Sequence, residues 1–191
     1  MRLLLLLFTG LLFLCPAAYS QTDKEAISRN VTRYFTAVEK ADNQTVMDLT
    51  YSRVYELIPR EKMREMLENL HSDPEYKITI SNNSIKNITE AVLIADTKYA
   101  KVDYSFTMVM KINKPEEKKS DKDKFDTRAA TTNLFKKMYG ESNITYNQPE
   151  NQYVINIQKQ MFAILEPKTQ QWTFIGNEKN LKPLLEKILP Q

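Results

Sequence analysis

The 191-residue sequence has one cysteine, one histidine and three glycines, and each scarcity excludes a class of chemistry. Cys15 lies in an apolar leading stretch, so the remainder of the chain has no thiol. Neither a disulfide framework nor a Cys–His nucleophile can be assembled there, and a zinc site of Cys/His composition is excluded by the same inventory. Gly10 falls in the leading stretch too, leaving Gly140 and Gly176 for the rest. Two isolated glycines make neither a Gly-x-Ser-x-Gly nucleophile elbow nor a phosphate-cradling loop. Charge of one sign is also in short supply. The 27 Lys and Arg stand against 24 Asp and Glu, a formal charge of +3, with the two signs interleaved. A nucleic-acid binder would show a basic stripe. No cofactor, metal or nucleic acid is therefore expected.

An apolar run of bilayer length is missing as well. Leu3 to Leu14 is a stretch of about a dozen residues, against the roughly 20 that span a membrane as a helix. What precedes and follows it reads as a secretory signal: Arg2 before it, then the small-residue end Ala18-Tyr19-Ser20 and the polar Gln21-Thr22-Asp23-Lys24. Residues 1–20 are expected to be a signal peptide, and the protein to be exported, either periplasmic or secreted. Lipoprotein processing requires a small residue before the cysteine, whereas Leu14 is bulky, so no anchoring at Cys15 is expected. The short leader followed by Gln is similar to exports of the Bacteroidota. About 170 residues remain, enough for a single domain stabilised by burial alone. Five Asn-x-Ser/Thr sequons, at Asn30, Asn43, Asn82, Asn87 and Asn143, read as chance in an Asn-rich chain.

Apolar spacing sets the order of elements. Ile27, Val31, Tyr34, Val38 and Ala41 form one stripe, predicting a helix from Ala26 to Ala41. Asp42-Asn43 breaks it. A short second helix, Gln44 to Tyr51, follows with Val46 and Leu49 inward. Ser52 to Ile58 reads as a short strand or an irregular crossing. Pro59 suits the first position of a third helix, whose face is Met63, Met66, Leu67 and Leu70. From Glu75 to Gly176 strands dominate. Tyr76, Ile78 and Ile80 alternate with polar residues. From Tyr99 to Ile112, Ala100, Val102, Tyr104, Phe106, Met108, Met110 and Ile112 share one face. Gln152–Leu165 and Gln171–Gly176 are two further strands, joined by a turn at Glu166-Pro167-Lys168-Thr169. Lys114 to Lys124 reads as a charged loop. Glu116, Glu117, Asp121, Asp123 and Asp126 there lack the glycine and terminal glutamate of a calcium loop. Thr127 to Tyr139 is an inserted helix with Ala130, Leu134 and Met138 on its inner side, ended by Gly140. A last helix spans about Asn180 to Leu189, with Leu181, Leu184, Leu185 and Ile188 apolar.

Helices segregated before an antiparallel sheet form an α+β plan, in which they pack into the sheet's concave face. Within it, Arg33-Tyr34-Phe35-Thr36-Ala37-Val38-Glu39-Lys40-Ala41-Asp42, followed by Val46-Met47-Asp48-Leu49, resembles the opening of NTF2-like (SnoaL and ketosteroid-isomerase type) domains. Trp172-Thr173-Phe174-Ile175 is similar to the family's last strand. The resemblance implies a cone: N-terminal helices on a curved antiparallel sheet, here with an extra inserted helix and a C-terminal helix.

The resemblance also implies where chemistry would sit. In isomerase members a first-helix tyrosine and a protonated acid form an oxyanion hole while a second carboxylate moves the proton. Tyr34 matches the tyrosine and Glu56 falls near the proton-moving carboxylate. The late strand that should supply the acid reads Met161-Phe162-Ala163-Ile164-Leu165, with none. Loss of one oxyanion donor typically forfeits about 10²–10³ in rate. His71, beside Ser72-Asp73, is the third catalytic candidate, by similarity to dehydratase members that use a His–Asp pair. Each has a plainer reading: a core tyrosine, a solvated glutamate and a helix-end histidine. Tyr34, Tyr104, Phe106, Met108, Met161 and Trp172 are candidate lining residues of an apolar pocket. The expected function is non-enzymatic binding of a small apolar ligand or a protein partner, with a homodimer through the open sheet face as one form. The alternatives are a pocket enzyme of isomerase or dehydratase type using Tyr34 and Glu56, and a cell-envelope interaction module.

Overall fold

A computed structural model describes residues 22–113, 127–177 and 182–189. The expected signal segment, the charged 114–124 loop and Leu181 lie outside the described residues, as do the side chains of His71, Leu184 and Ile188.

Helix α1 (Asp23–Glu39) opens with a threonine N-cap. Thr22 Oγ1 accepts the Glu25 N–H at 3.3 Å, and Asp23 and Glu25 place negative charge at the positive end of the helix dipole. Its end is a Schellman turn. Ala41 takes φ 54°, while the Asp42 N–H reaches back to the Ala37 carbonyl at 2.8 Å and that of Ala41 to Val38 at 3.2 Å. Ala41 is thus an exposed cap residue, not the end of the apolar stripe. Asp42 then caps α2 (Asn43–Asp48) through the Thr45 N–H at 3.1 Å; the Thr45 side chain first, and that N–H second, hold its carboxyl below the ordinary range. Val46 and Leu49 point inward as expected, with Met47 beside them.

Ser52–Glu56 is a 3₁₀ turn and not a strand. The chain pairs briefly with the sheet at Thr50, but the Glu166 carboxylate takes the Ser52 N–H at 2.8 Å and turns the backbone away. Pro59 is the cap of α3 (Arg60–Ser72) instead of its first residue. Arg60 ties α3 to α2 by pairing with Asp48, with its guanidinium 5.2 Å from the centre of the Tyr55 ring.

Six strands form one antiparallel, curved sheet: β1 (Tyr76–Ile88), β2 (Val92–Ile94), β3 (Thr97–Ile112), β4 (Ile144–Asn147), β5 (Gln152–Leu165) and β6 (Trp172–Gly176). The central pair is β3–β5, in unbroken register from Tyr99↔Ile164 to Lys111↔Gln152. Along the other edge of β3 lie β1 and β2, end to end; along the other edge of β5 lie β4 and β6. Ala95 and Asp96, at φ 45° and 62°, make the two-residue hairpin between β2 and β3 that matches strand twist.

Because paired residues share a face, the alternation sorts the sheet into two surfaces. The inner one holds Ala100/Ala163, Val102/Met161, Phe106/Ile157, Met108/Ile155 and Met110/Tyr153. Ile27, Val31 and Phe35 of α1 close over its first part with Trp172, Phe174 and Leu49. The outer one is polar over most of its area. Asn87 donates to Asp103 at 3.3 Å, Gln160 donates to Asp103 at 2.8 Å, and Asn177 donates to Gln160, forming one hydrogen-bonded rung across four chain segments. At its end Tyr99, Ile164 and Ile175 are covered by Leu185 of α5 (Lys182–Ile188), together with Tyr51 and Val54.

The inserted helix α4 (Thr127–Tyr139) is present, but its inner side is a correction. Leu134 and Met138 are 54% and 59% exposed; the helix instead buries Phe135, edge-on to Tyr153 at 5.1 Å, with Tyr139 beside it. Two rings on β4 and β5, Tyr146 and Tyr153, offer better-matched surfaces to an aromatic than to an aliphatic stripe. Gly140 ends the helix at φ 90°, with its N–H on the Lys136 carbonyl at 2.9 Å.

Candidate functional site

The inner sheet face has two halves of unequal cover. Beneath α1, Val102, Met161, Ala163 and Trp172 are nearly inaccessible. Toward the other end of β3, Tyr104, Phe106, Met108, Met110 and Ile112 are all half-buried, although they continue the same apolar row. Ile78 and Ile80 of β1, opposite Met110 and Met108, are half-buried too. The cause is the placement of helices: α1 packs on β1 and β6, while α4 sits over β4 and β5. Between them Phe106, Met108, Met110 and Ile112 pack, partly buried, against the cluster of Phe135, Tyr153, Ile155 and Ile157, and with Ile78 and Ile80 they form the half-buried apolar stretch here termed the trough.

The six lining candidates divide between the halves. Met161 and Trp172 belong to the packed cluster under α1. Tyr104, Phe106 and Met108 line the trough, joined to α1 by a chain of rings: Phe35 to Tyr104 at 5.2 Å, then Tyr104 to Phe106 stacked at 6.0 Å. Tyr34 lies at the start of that chain, 5.8 Å from Phe174 and 6.3 Å from Phe35. Burial first, and the neighbouring Tyr55 second, push the Tyr34 hydroxyl above its ordinary pKa.

Tyr34 and Glu56 stand in different surroundings: Tyr34 is partly buried among aromatic rings. Glu56 is solvent-exposed and accepts from Arg53 Nε at 3.2 Å, at the 3₁₀ turn. The side chain of His71 lies outside the described residues; its backbone is in the last turn of α3. Among the described residues no cluster of three or more His, Cys, Asp or Glu could hold a metal ion. Four of the five sequon asparagines make side-chain hydrogen bonds. Asn30 donates to the Trp172 carbonyl at 3.1 Å and Asn143 to that of Tyr139, while Asn82 and Asn87 donate to Thr107 and Asp103.

Three trough residues, Ile78, Ile80 and Met110, were visible in the alternation but not assigned to a site. Lys159 was missed altogether. It stands opposite Tyr104 and between Ile157 and Met161 in the inward register of β5, half-buried. A lysine interrupting an otherwise apolar period-two row is a signal readable from sequence. A second polar group was also missed: Tyr51, Tyr99 and Arg53, at the edge where Glu166 binds Ser52. Desolvation there, reinforced by Tyr51, pushes Tyr99 up to about 12.

Among the described residues no helix is long and apolar enough to cross a membrane. Comparison with known proteins finds no family model that matches the chain and no curated protein with significant similarity to it.

Proposed function

We propose that this protein is an exported, non-enzymatic binding domain of NTF2-like architecture that accepts a small apolar ligand in the trough over β1 and β3. One observation supports this above all: Ile78, Ile80, Phe106, Met108 and Met110 form a contiguous apolar surface left half-covered between α1 and α4. Apolar surface of this kind is a binding-site signature when a few polar groups border it. The positions of Tyr34, in aromatic packing, and Glu56, in a surface ion pair, support binding over proton transfer.

A thermal-shift screen of the purified chain against lipids and hydrophobic metabolites tests the reading. Stabilisation by a ligand, lost on Met108→Gln, is the expected result. No stabilisation by any ligand would remove it. Steroid-enone turnover abolished by Tyr34→Phe would replace it with the enzyme reading. The outer face, with its hydrogen-bonded polar rungs, is the surface on which a second copy would associate, measurable by analytical ultracentrifugation.

A further inference from the structure

The β2 hairpin carries apolar surface that lies outside the core clusters. Val92, Leu93 and Ile94 are successive residues and are 53%, 68% and 39% exposed. Val92 pairs with Tyr99 and so shares the outer face with it, as does Ile94; Leu93 points to the opposite face. Three apolar residues bare on both faces of one strand are a binding signature rather than an ordinary solvated surface. The strand also offers backbone. Ala95 and Asp96, both at positive φ, close a two-residue turn, which makes Ile94↔Thr97 a hydrogen-bonded pair. Alternation then makes Leu93↔Lys98 the non-bonded pair, so the N–H and C=O of Leu93 point away from β3. Among the described residues β2 pairs with no strand but β3, and Thr89 closes the gap to β1 by accepting the Lys101 N–H on Oγ1 at 2.9 Å.

Charge at the ends of the apolar run selects the partner. Glu90 precedes it and Asp96 follows it, both exposed. The two cations beside the hairpin are engaged: Lys98 pairs with Asp23 at 2.8 Å, and Lys24 with Glu90, whose carboxylate stays largely exposed. Asp23, Glu90 and Asp96 against Lys24 and Lys98 leave the hairpin with negative charge in excess. A second copy is the wrong partner on this account. A two-fold axis through Leu93 would set Glu90 of each copy opposite Asp96 of the other, and like charges directly across a ladder are destabilising. We infer that β2 is a docking edge for an extended peptide whose short apolar run is bordered by basic residues. The peptide adds as a strand antiparallel to β2 and exchanges both backbone hydrogen bonds with Leu93. Its apolar side chains cover Val92, Leu93 and Ile94, and a Lys or Arg at each end meets Asp96 and Glu90. The hairpin lies at the Thr97 end of β3 and the trough toward Ile112, so this surface is separate from the trough and independent of its ligand.

The test is an NMR titration of the isotope-labelled full chain with two capped heptapeptides, Lys-Thr-Val-Val-Val-Thr-Lys and Glu-Thr-Val-Val-Val-Thr-Glu. The expected result is a shift of the Val92, Leu93 and Ile94 amides, with the basic peptide binding about tenfold tighter than the acidic one at low salt. Leu93→Pro removes the outward N–H without touching a ladder bond, and should keep the fold while losing the peptide. Glu90→Gln combined with Asp96→Asn should erase the preference for the basic peptide; asparagine tolerates the positive φ at position 96. Equal affinities of the wild type for the two peptides would overturn the basic border. Unmoved amides at 92–94 with either peptide would overturn the docking edge. Shifts of these amides that grow with the protein's own concentration would give the surface to a second copy and overturn the peptide assignment. Broadening of the same amides by phosphatidylcholine vesicles, with the peptides inert, would overturn it in favour of a bilayer. Should Leu93→Pro fail to fold, the wild-type ratio together with the Glu90→Gln and Asp96→Asn double variant decides the matter.

Discussion

The two halves of β3 share one sequence pattern and meet different fates. Ala100 and Val102 are 3% and 0% exposed, while Phe106, Met108 and Met110 remain half-buried four to ten residues further along the same face. Both halves alternate apolar and polar residues with period two, so nothing in the strand itself distinguishes core from trough. The difference comes from what lies above. The first half receives the Ile27–Val31–Phe35 stripe of α1; the second packs, partly buried, against the cluster that Phe135 of α4 forms with Tyr153, Ile155 and Ile157. An apolar row on a strand therefore states that a face will be sheltered, and the helices decide how completely.

That contrast can be broken at graded cost. Ile27→Ala, in the packed half, should destabilise by about 3 kcal/mol through lost burial and the cavity left behind, read as a lower midpoint in urea. Phe135→Ala should cost a similar amount, about 3 kcal/mol, because it removes a buried side chain by which α4 packs on Tyr153. Met108→Ala, in the trough, should cost only about 1 kcal/mol, since the half-buried methionine leaves no sealed cavity. If it costs as much as Ile27→Ala, the two halves are a single core and the contrast fails.

A pH experiment sharpens the opposite surface. Tyr99 is raised to about 12 by desolvation and by Tyr51, so the folded state favours its neutral form. A group whose folded pKa lies above its unfolded value contributes stability that is full below the unfolded pKa. For Tyr99 that contribution should be present below about pH 10 and fade as pH rises toward 12. Denaturant midpoints measured through that window should fall, and fall less in Tyr99→Phe. The smallest effect is expected on the outer side of α4. Leu134→Ser and Met138→Ser should change stability by no more than about 0.5 kcal/mol, against the large loss at Phe135 on the same helix.

Legibility followed locality. The end of α1 could be read to within two residues from the Asp42-Asn43 break, because an Asp cap is a local device built from neighbouring residues; the left-handed turn at Ala41 was not. The β3 and β5 strands were legible because alternation over more than a dozen residues has no helical counterpart. The inward side of α4 was not. Ala130, Leu134 and Met138 make an acceptable helical stripe, but Phe135 and Tyr139 make another. The choice went to the rings because Tyr146 and Tyr153 were waiting on the sheet. The 3₁₀ turn at Ser52 was equally out of reach, since the Glu166 carboxylate that causes it lies more than a hundred residues away in sequence. Of the candidate site, the aromatic and methionine row was legible in the alternation of β3, as was the break that Lys159 makes in that of β5.

Composition and period together determined what kind of molecule this is. A chain with one histidine and no thiol beyond its leading segment must hold itself together by burial, and its helices-then-strands order commits it to an α+β plan. Tertiary structure alone decided where burial is complete. Helix placement depends on side chains meeting across the sheet, a property of pairs distant in sequence. That is why the same apolar alternation became full core under α1 and a half-buried face beside α4.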